Sequence, residues 1–498
     1  MGAELFAQQQ LPYEKQAFEF NGTPLKEYRN ETRSWGANTL AKTGAEIPQN
    51  IMRAGKITKA IETAKTRFKK IYFADIGMPL DADLQIQPVI NDARSRAADF
   101  VNDHPDYGRY TAAQGLPMFR KSVADFYSSF YGLTISPDWV VASNGASEMW
   151  ERFVASQLEP GDMILTLDPH YNPFDVDLAM KGVDWLPIKT KAENGFHFAE
   201  NDLSKALKEK AEKQPLGRIA AVYINSPANP TGVVYSEKEL DTLVDFALRN
   251  DIFIVMDSVY SLYNYGSNPS LVSYLRDMPA KKRELVYKKL VFMDSMSKLA
   301  TTTGTRVGMN IVPDNSLREH LNRSLGVRGN INNLAQIESA YILNSLSDDL
   351  ETKMGQVNGD IRTAILYDQA SLYYRKMEKF VRILNKKLSD AESGRKVNLP
   401  DGGLYITLPL GINALDFFTW SMTEYVADSV MTFVPEGVAF DDGSEASFRV
   451  RDFEKASQEI RICIGMDETE IETAAETFVK QLNAYRQSLS EMKAVETA

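Results

Sequence analysis

Short apolar runs recur along the middle of the chain with longer amphipathic stretches between them, and this alternation restricts the fold more than any other feature. The runs are "WVVAS" (139–143), "MILTL" (163–167), "IAAVYIN" (219–225), "IFIVMD" (252–257), "LVFMD" (290–294) and "VGMNIV" (307–312). Continuous apolar runs of strand length suit strands buried on both faces, which helical connections join into a largely parallel sheet with helices on either side. One connecting helix can be read residue by residue. Ser236 stands as N-cap, Glu239 completes a capping box, and Leu240, Leu243, Val244 and Ala247 form an apolar stripe at helical spacing. After about residue 345 the rhythm changes to long helices ("YYRKMEKFVRILNKKL") followed by short strands ("GGLYITLPL", "EIRICIG"). The expected fold class is therefore α/β with a second, smaller α+β domain.

At 498 residues the chain exceeds the range of one hydrophobic core. The expected organisation is an N-terminal extension (1–70) that partly joins the small domain, a large domain (71–345) and a small domain (346–498).

A net charge of −11 opposes nucleic-acid binding, which needs clustered Lys and Arg. The single cysteine, Cys463, excludes an intramolecular disulfide and a cysteine metal cluster, and the four histidines form no paired zinc motif. No apolar run approaches the ~18 residues of a membrane span, and "MGAELFAQQQ" does not read as a signal peptide. A cytoplasmic protein is expected.

In open α/β sheets ligands collect at the carboxyl ends of the strands. The residues just beyond the first five runs are "NGAS", "DPHYNPF", "NSPANPTG", "DSVY" and "DSMSK". In "NGASEMWERF" the amides of Gly145, Ala146 and Ser147 open a helix, where the dipole favours a phosphate. Taken alone, that is also an ordinary strand–helix turn. Asp257 closes an apolar strand, where a carboxylate can pair with a cation such as a protonated pyridine nitrogen. Lys298 sits among small hydroxyl residues, and Arg306 follows eight positions later. A desolvated lysine beside a fixed cation can lose its proton and form a Schiff base.

The ordered set "NPTG", "DSVY", "SMSK" and "GTRVG" resembles the class I/II aminotransferases of the fold-type I pyridoxal-phosphate enzymes, from about "FADIGMP" to "RICIG". That resemblance implies a mostly parallel sheet of the seven-stranded type in the large domain and pyridoxal 5′-phosphate as cofactor. It implies that Lys298 forms the aldimine with the cofactor and then acts as base, and that Asp257 pairs with the ring nitrogen. Asn229 and Tyr260 would bond the ring oxygen, and Tyr171 would stack on the ring. Ser295, Arg306, Ala146 and Ser147 would hold the phosphate, with Tyr110 reaching the phosphate of a neighbouring subunit in a homodimer. Arg461 would grip the substrate α-carboxylate, with the backbone of Gly77 and the side chain of Asn229 beside it. Amino acids and 2-oxo acids would be the substrates, with neither nucleic acid nor membrane as partner.

Two rivals share the scaffold: a lyase or decarboxylase of an amino acid, and an effector-binding module. No basic helix-turn-helix accompanies the pattern, which disfavours the second. The chain departs from the family pattern where Thr305 takes the place of a bulky aromatic, in the long stretch "FDDGSEASFRVRDFEKASQE", and in the extended N-terminus. Arg109, Tyr263, Tyr265 and Tyr405 are available for side-chain recognition, and Cys463 shares a strand face with Arg461. The donor and acceptor identities are left open by the sequence.

Overall fold

From residue 59 onward the strands of the computed structural model are β1 (Lys70–Tyr72), β2 (Val140–Ser143), β3 (Met163–Asp168), β4 (Asp184–Lys189), β5 (Ile219–Asn225) and β6 (Phe253–Asp257). They continue as β7 (Leu290–Met293), β8 (Gly308–Ile311), β9 (Tyr405–Pro409), β10 (Ser429–Met431), β11 (Val434–Pro435) and β12 (Glu459–Cys463). The described residues are 59–75, 86–213, 217–323, 329–347, 361–388, 397–435 and 458–496, with the short strand pair Glu19–Phe20 and Thr23–Pro24.

Seven strands form one sheet in the order β2-β8-β7-β6-β5-β3-β4. Strand β8 runs antiparallel to β2 and β7, and the remaining pairs are parallel. Successive side chains of a strand point to opposite faces, and here each face meets its own apolar layer. Val222 and Ile224 of β5, Ile254 and Met256 of β6, and Leu290 and Phe292 of β7 enter one core. Their alternates Tyr223, Val255, Val291 and Met293 enter the other. This two-sided burial is why the runs lack polar alternation. Burying each Val, Leu or Ile side chain contributes about 1.5–3 kcal/mol.

All six expected strands of the large sheet are present, but the edge strand β4, "DWLPIK", was not anticipated. Pro187 argues against a central strand, and an edge position tolerates it.

The helices α1 (Ala146–Gln157), α2 (Glu237–Arg249), α3 (Met296–Leu299), α4 (Ile361–Leu388) and α5 (Ile471–Glu496) bear on the site or on the second core. The capping box opens α2 as its sequence predicts: Ser236 Oγ accepts from the Glu239 amide, and Glu239 Oε2 accepts from the Ser236 amide at 2.8 Å. The Glu239 carboxylate also accepts from the Phe198 amide (2.9 Å) and lies 3.0 Å from His197 Nδ1, long-range contacts that the local pattern did not announce.

A smaller sheet, β9-β12-β11, and the parallel pair β10-β1 lie over a separate core. Ile406, Leu408, Ile460 and Ile462 fill it, together with Ala60, Ala64, Phe68 and Tyr72 from the N-terminal part and Phe478 and Leu482 of α5. Helix α4 passes from Leu366 and Tyr373 in the first core to Met377 and Phe380 in the second. On this basis we propose the division near residue 345, with part of the N-terminal extension joining the small domain. Among the described residues no helix is long and apolar enough to cross a membrane, and no cluster of metal-ligating side chains occurs.

Candidate active site

A pocket of about 300 Å³ opens at the carboxyl ends of β2, β3, β5, β6 and β7. Of the residues singled out from sequence, Ala146, Ser147, Tyr171, Asn229, Asp257, Tyr260, Ser295, Lys298, Arg306 and Arg461 all line it. They span 316 positions of sequence (461 − 146 + 1), so their convergence is a product of topology.

At one end is a cup built for an anion. Gly145 has φ 75° and caps α1, leaving the first amides of that helix pointing outward. Arg306 lies across the turn in the left-handed region (φ 56°, ψ 53°), and its guanidinium donates to the carbonyl oxygens of Asn144 and Thr303 at 3.2 Å each. A non-glycine residue there stores strain, a frequent mark of functional positions. A Cβ on Gly145 would overlap that guanidinium, and a Cβ on Gly308 would overlap the Ser143 hydroxyl. Beneath the turn the buried Glu148 accepts from the Asn144 amide (2.5 Å), and Arg152 Nη2 neutralises it across 2.7 Å.

Ser295 borders the cup but is only 2% exposed. Its Oγ lies 3.0 Å from the Val307 carbonyl oxygen and accepts from the Ser297 amide, capping α3. Ser297 and Thr303 also line the wall, and neither was singled out from sequence.

In the middle of the pocket, Asp257 ends β6 at 5% exposure. Burial pushes its carboxyl up to about 6, against the hydrogen bond from Tyr223 Oη (2.8 Å). A carboxylate in that setting gains most from a cationic partner. Asn225 ties the region together, although its place at the end of an apolar strand gave no local sign of a role. Its Nδ2 donates to the Asp257 carbonyl oxygen (3.1 Å), and its Oδ1 accepts from the Asn229 amide (2.6 Å).

Lys298 faces this acid's neighbourhood from α3, its Nζ 5.7 Å from the Tyr260 ring centroid. Burial brings its amine down to about 8; the Cys463 thiol opposes this, and Arg461 and Arg306 add to it. A fraction of the amine is thus neutral near pH 7, as nucleophilic attack requires. Tyr171 meets Phe174 edge to face at 4.9 Å, and burial raises its hydroxyl's pKa.

The opposite wall comes from the small sheet. Register pairs Tyr405 with Cys463 and Thr407 with Arg461, so these four side chains share one face, turned away from the second core. Arg461 Nη1 donates to Asn229 Oδ1 (3.0 Å), and Nη2 donates to the Asp75 carbonyl oxygen (3.2 Å).

Other sequence candidates lie elsewhere. Tyr110 is 91% exposed and outside the pocket of its own chain. Arg109 is an exposed residue paired with Asp106 at 3.1 Å. Thr305 bonds back to the Thr302 carbonyl oxygen (2.8 Å), and Tyr263 donates to the Lys298 carbonyl oxygen (2.9 Å). Tyr265 donates to the Gly403 carbonyl oxygen (2.7 Å). Gly77 and most of the stretch before β12 lie outside the described residues.

The residues present fit a phosphorylated pyridine aldehyde: an anion cup, a buried acid seeking a cation, and a lysine with a depressed pKa stand around one space. Comparison with known proteins agrees. The family model "Aminotransferase class I and II" matches residues 75–478. A 1-aminocyclopropane-1-carboxylate synthase of Malus domestica is 34% identical over 200 residues, 39% of this chain and 42% of the relative. An asparagine–oxo-acid transaminase of Streptococcus mutans is 27% identical over 201 residues, 40% of this chain and 47% of that protein. The matched segments thus span less than half of either relative. Among solved structures, an aspartate aminotransferase mutant of Thermus thermophilus superposes with TM-score 0.66 at 19% identity, covering 86% of this chain and 96% of that one. The aromatic aminotransferase of Pyrococcus horikoshii gives TM-score 0.66, also at 19% identity, covering 86% of this chain and 99% of that one; at such identity these two likenesses speak for the fold alone. The chain belongs to the class I and II aminotransferase family, whose cofactor is pyridoxal 5′-phosphate.

Proposed function

We propose that the protein is an aminotransferase that moves an amino group from an amino acid to a 2-oxo acid in two half-reactions. The observation that carries the reading is Lys298, its pKa brought down to about 8 by burial, set in one pocket with the buried Asp257 and the Arg306 cup. Bound pyridoxal phosphate supplies an electron sink for the substrate α-carbon. The amides of Ala146 and Ser147, with Arg306 and Ser295, would hold the phosphate, and Asp257 would keep the ring nitrogen protonated. Tyr171 would stack on the ring, while Asn229 and Tyr260 would bond its oxygen. Lys298 would hold the aldehyde carbon and would serve as the base for the proton at the substrate α-carbon. Arg461 would take the α-carboxylate as a fork. The exposed Tyr110 would complete the phosphate site of a second subunit, making the working form a homodimer.

The synthase relatives support a second reading, in which the same site performs an elimination or ring closure on an amino acid. One experiment separates the two. Purified protein is titrated with pyridoxal phosphate and then with single amino acids, followed by absorption and by product analysis. Conversion to the pyridoxamine spectrum with stoichiometric oxo acid, and parallel initial-rate lines, support transfer. Release of ammonia or carbon dioxide, or intersecting lines, supports the lyase reading.

A further inference from the structure

Among the described residues, two side chains of the small sheet reach the pocket, Arg461 and Tyr405. Tyr405 is 1% exposed and touches two separate parts of the site. Its hydroxyl oxygen lies 2.6 Å from that of Tyr260, with the rings edge-on at 5.5 Å and 79°. Its face carries the Arg461 guanidinium, whose central carbon is 4.8 Å from the ring centroid. Strand register produces this arrangement: Tyr405 stands diagonal to Arg461 across the β9–β12 ladder, on the same face. The titratable and charged groups around the tyrosine pair are Tyr171, Lys298, Arg461 and Cys463.

A phenol has one proton to donate. If Tyr260 gave its proton to Tyr405, it would have none for the cofactor's ring oxygen. The chain of donors is consistent only when Tyr405 donates to Tyr260 and Tyr260 donates onward, and donors in series strengthen one another. We propose that Tyr405 is a positioning residue with two separable duties: its hydroxyl fixes Tyr260 as a donor to the ring oxygen, and its ring holds the Arg461 guanidinium flat for the substrate carboxylate. The proposal rests on the cofactor reading given above.

The test uses Tyr405→Phe and Tyr405→Leu in the pyridoxal-phosphate-loaded protein. Two quantities are read: the pH midpoint at which the visible band titrates, and the affinity for propionate as a bare carboxylate probe. Removing the hydroxyl weakens donation to the ring oxygen and leaves it more basic. Tyr405→Phe is therefore expected to raise the midpoint by about 0.1 to 0.3 pH unit, the cooperative share of one ordinary hydrogen bond. Propionate affinity should be unchanged in Tyr405→Phe, which keeps the ring, and about 3- to 30-fold weaker in Tyr405→Leu, which loses the cation–π contact. An unchanged midpoint in Tyr405→Phe overturns the proposal, and so does an equal loss of propionate binding in both variants, which would mark a merely structural residue. If the unmodified protein shows no visible band on adding cofactor, the cofactor reading itself fails and takes this proposal with it.

Discussion

The guanidinium of Arg461 donates to the side-chain oxygen of Asn229 across 3.0 Å, although the two residues are 232 positions apart. One comes from the small sheet and the other from the loop after β5, so this bond joins the residue proposed to grip the substrate carboxylate to the one proposed to bond the ring oxygen. Replacing Arg461 by Lys keeps the charge but loses the planar fork and the reach to Asn229. The expected result is a rise of about 10²-fold in KM for the amino donor, about 3 kcal/mol, with a smaller change in kcat. Initial rates with the identified donor check it; an unchanged KM removes Arg461 from the carboxylate site.

Capture of the cofactor should depend on pH through Lys298. Only the neutral amine attacks an aldehyde, and burial sets the amine's pKa at about 8. The rate of visible-band formation is expected to rise about tenfold per pH unit below 8 and to level off above it. Stopped-flow mixing of cofactor-free protein with pyridoxal phosphate measures this. A limb extending to pH 10 would mean an ordinary exposed lysine.

Asp257 separates function from stability. Its folded-state carboxyl titrates at about 6, above the unfolded value near 4. The acid therefore costs nothing while protonated below pH 4, and its cost grows as pH rises to 6 and is full above. In cofactor-free protein at pH 7.5, Asp257→Asn should stabilise the fold by up to about 3 kcal/mol, seen as a higher Tm. The same change removes the proposed partner of the ring nitrogen and should lower kcat by about 10²- to 10³-fold. A variant that is less stable and fully active contradicts both parts.

Gly145 tests the phosphate cup. An alanine there must adopt φ 75° and push aside the Arg306 guanidinium. Gly145→Ala is expected to weaken pyridoxal phosphate binding about 10- to 100-fold while leaving the far-ultraviolet circular dichroism unchanged, from roughly 1–2 kcal/mol of strain plus the displaced cation. Fluorescence titration reads the affinity, and retention of tight binding would place the phosphate elsewhere.

Much of the sheet and the centre of the site were legible locally. The apolar runs 163–167 and 219–225 encode strands buried on both faces, since a strand with two dry faces favours apolar side chains at successive positions rather than at every second one. Ser236 and Glu239 encode the start of α2 because a capping box closes within four residues. Lys298, Asp257 and Arg306 stood out because each is a charge beside an apolar run or among small residues. The strand β4 was hidden by Pro187, which an edge position alone excuses.

What only the tertiary structure decided is which distant groups meet. Tyr405 and Tyr263 read alike in sequence, yet Tyr405 enters the pocket and Tyr263 braces the Lys298 backbone. Arg109 and Arg461 are equally plain cations, and strand register alone puts Arg461 on the face toward Asn229 while Arg109 stays on the surface. The amino-acid order by itself determines periodicity and local hydrogen bonding, which extend over a few residues. Burial, and with it the depressed pKa of Lys298 and the raised one of Asp257, exists only once remote elements have closed over the same space.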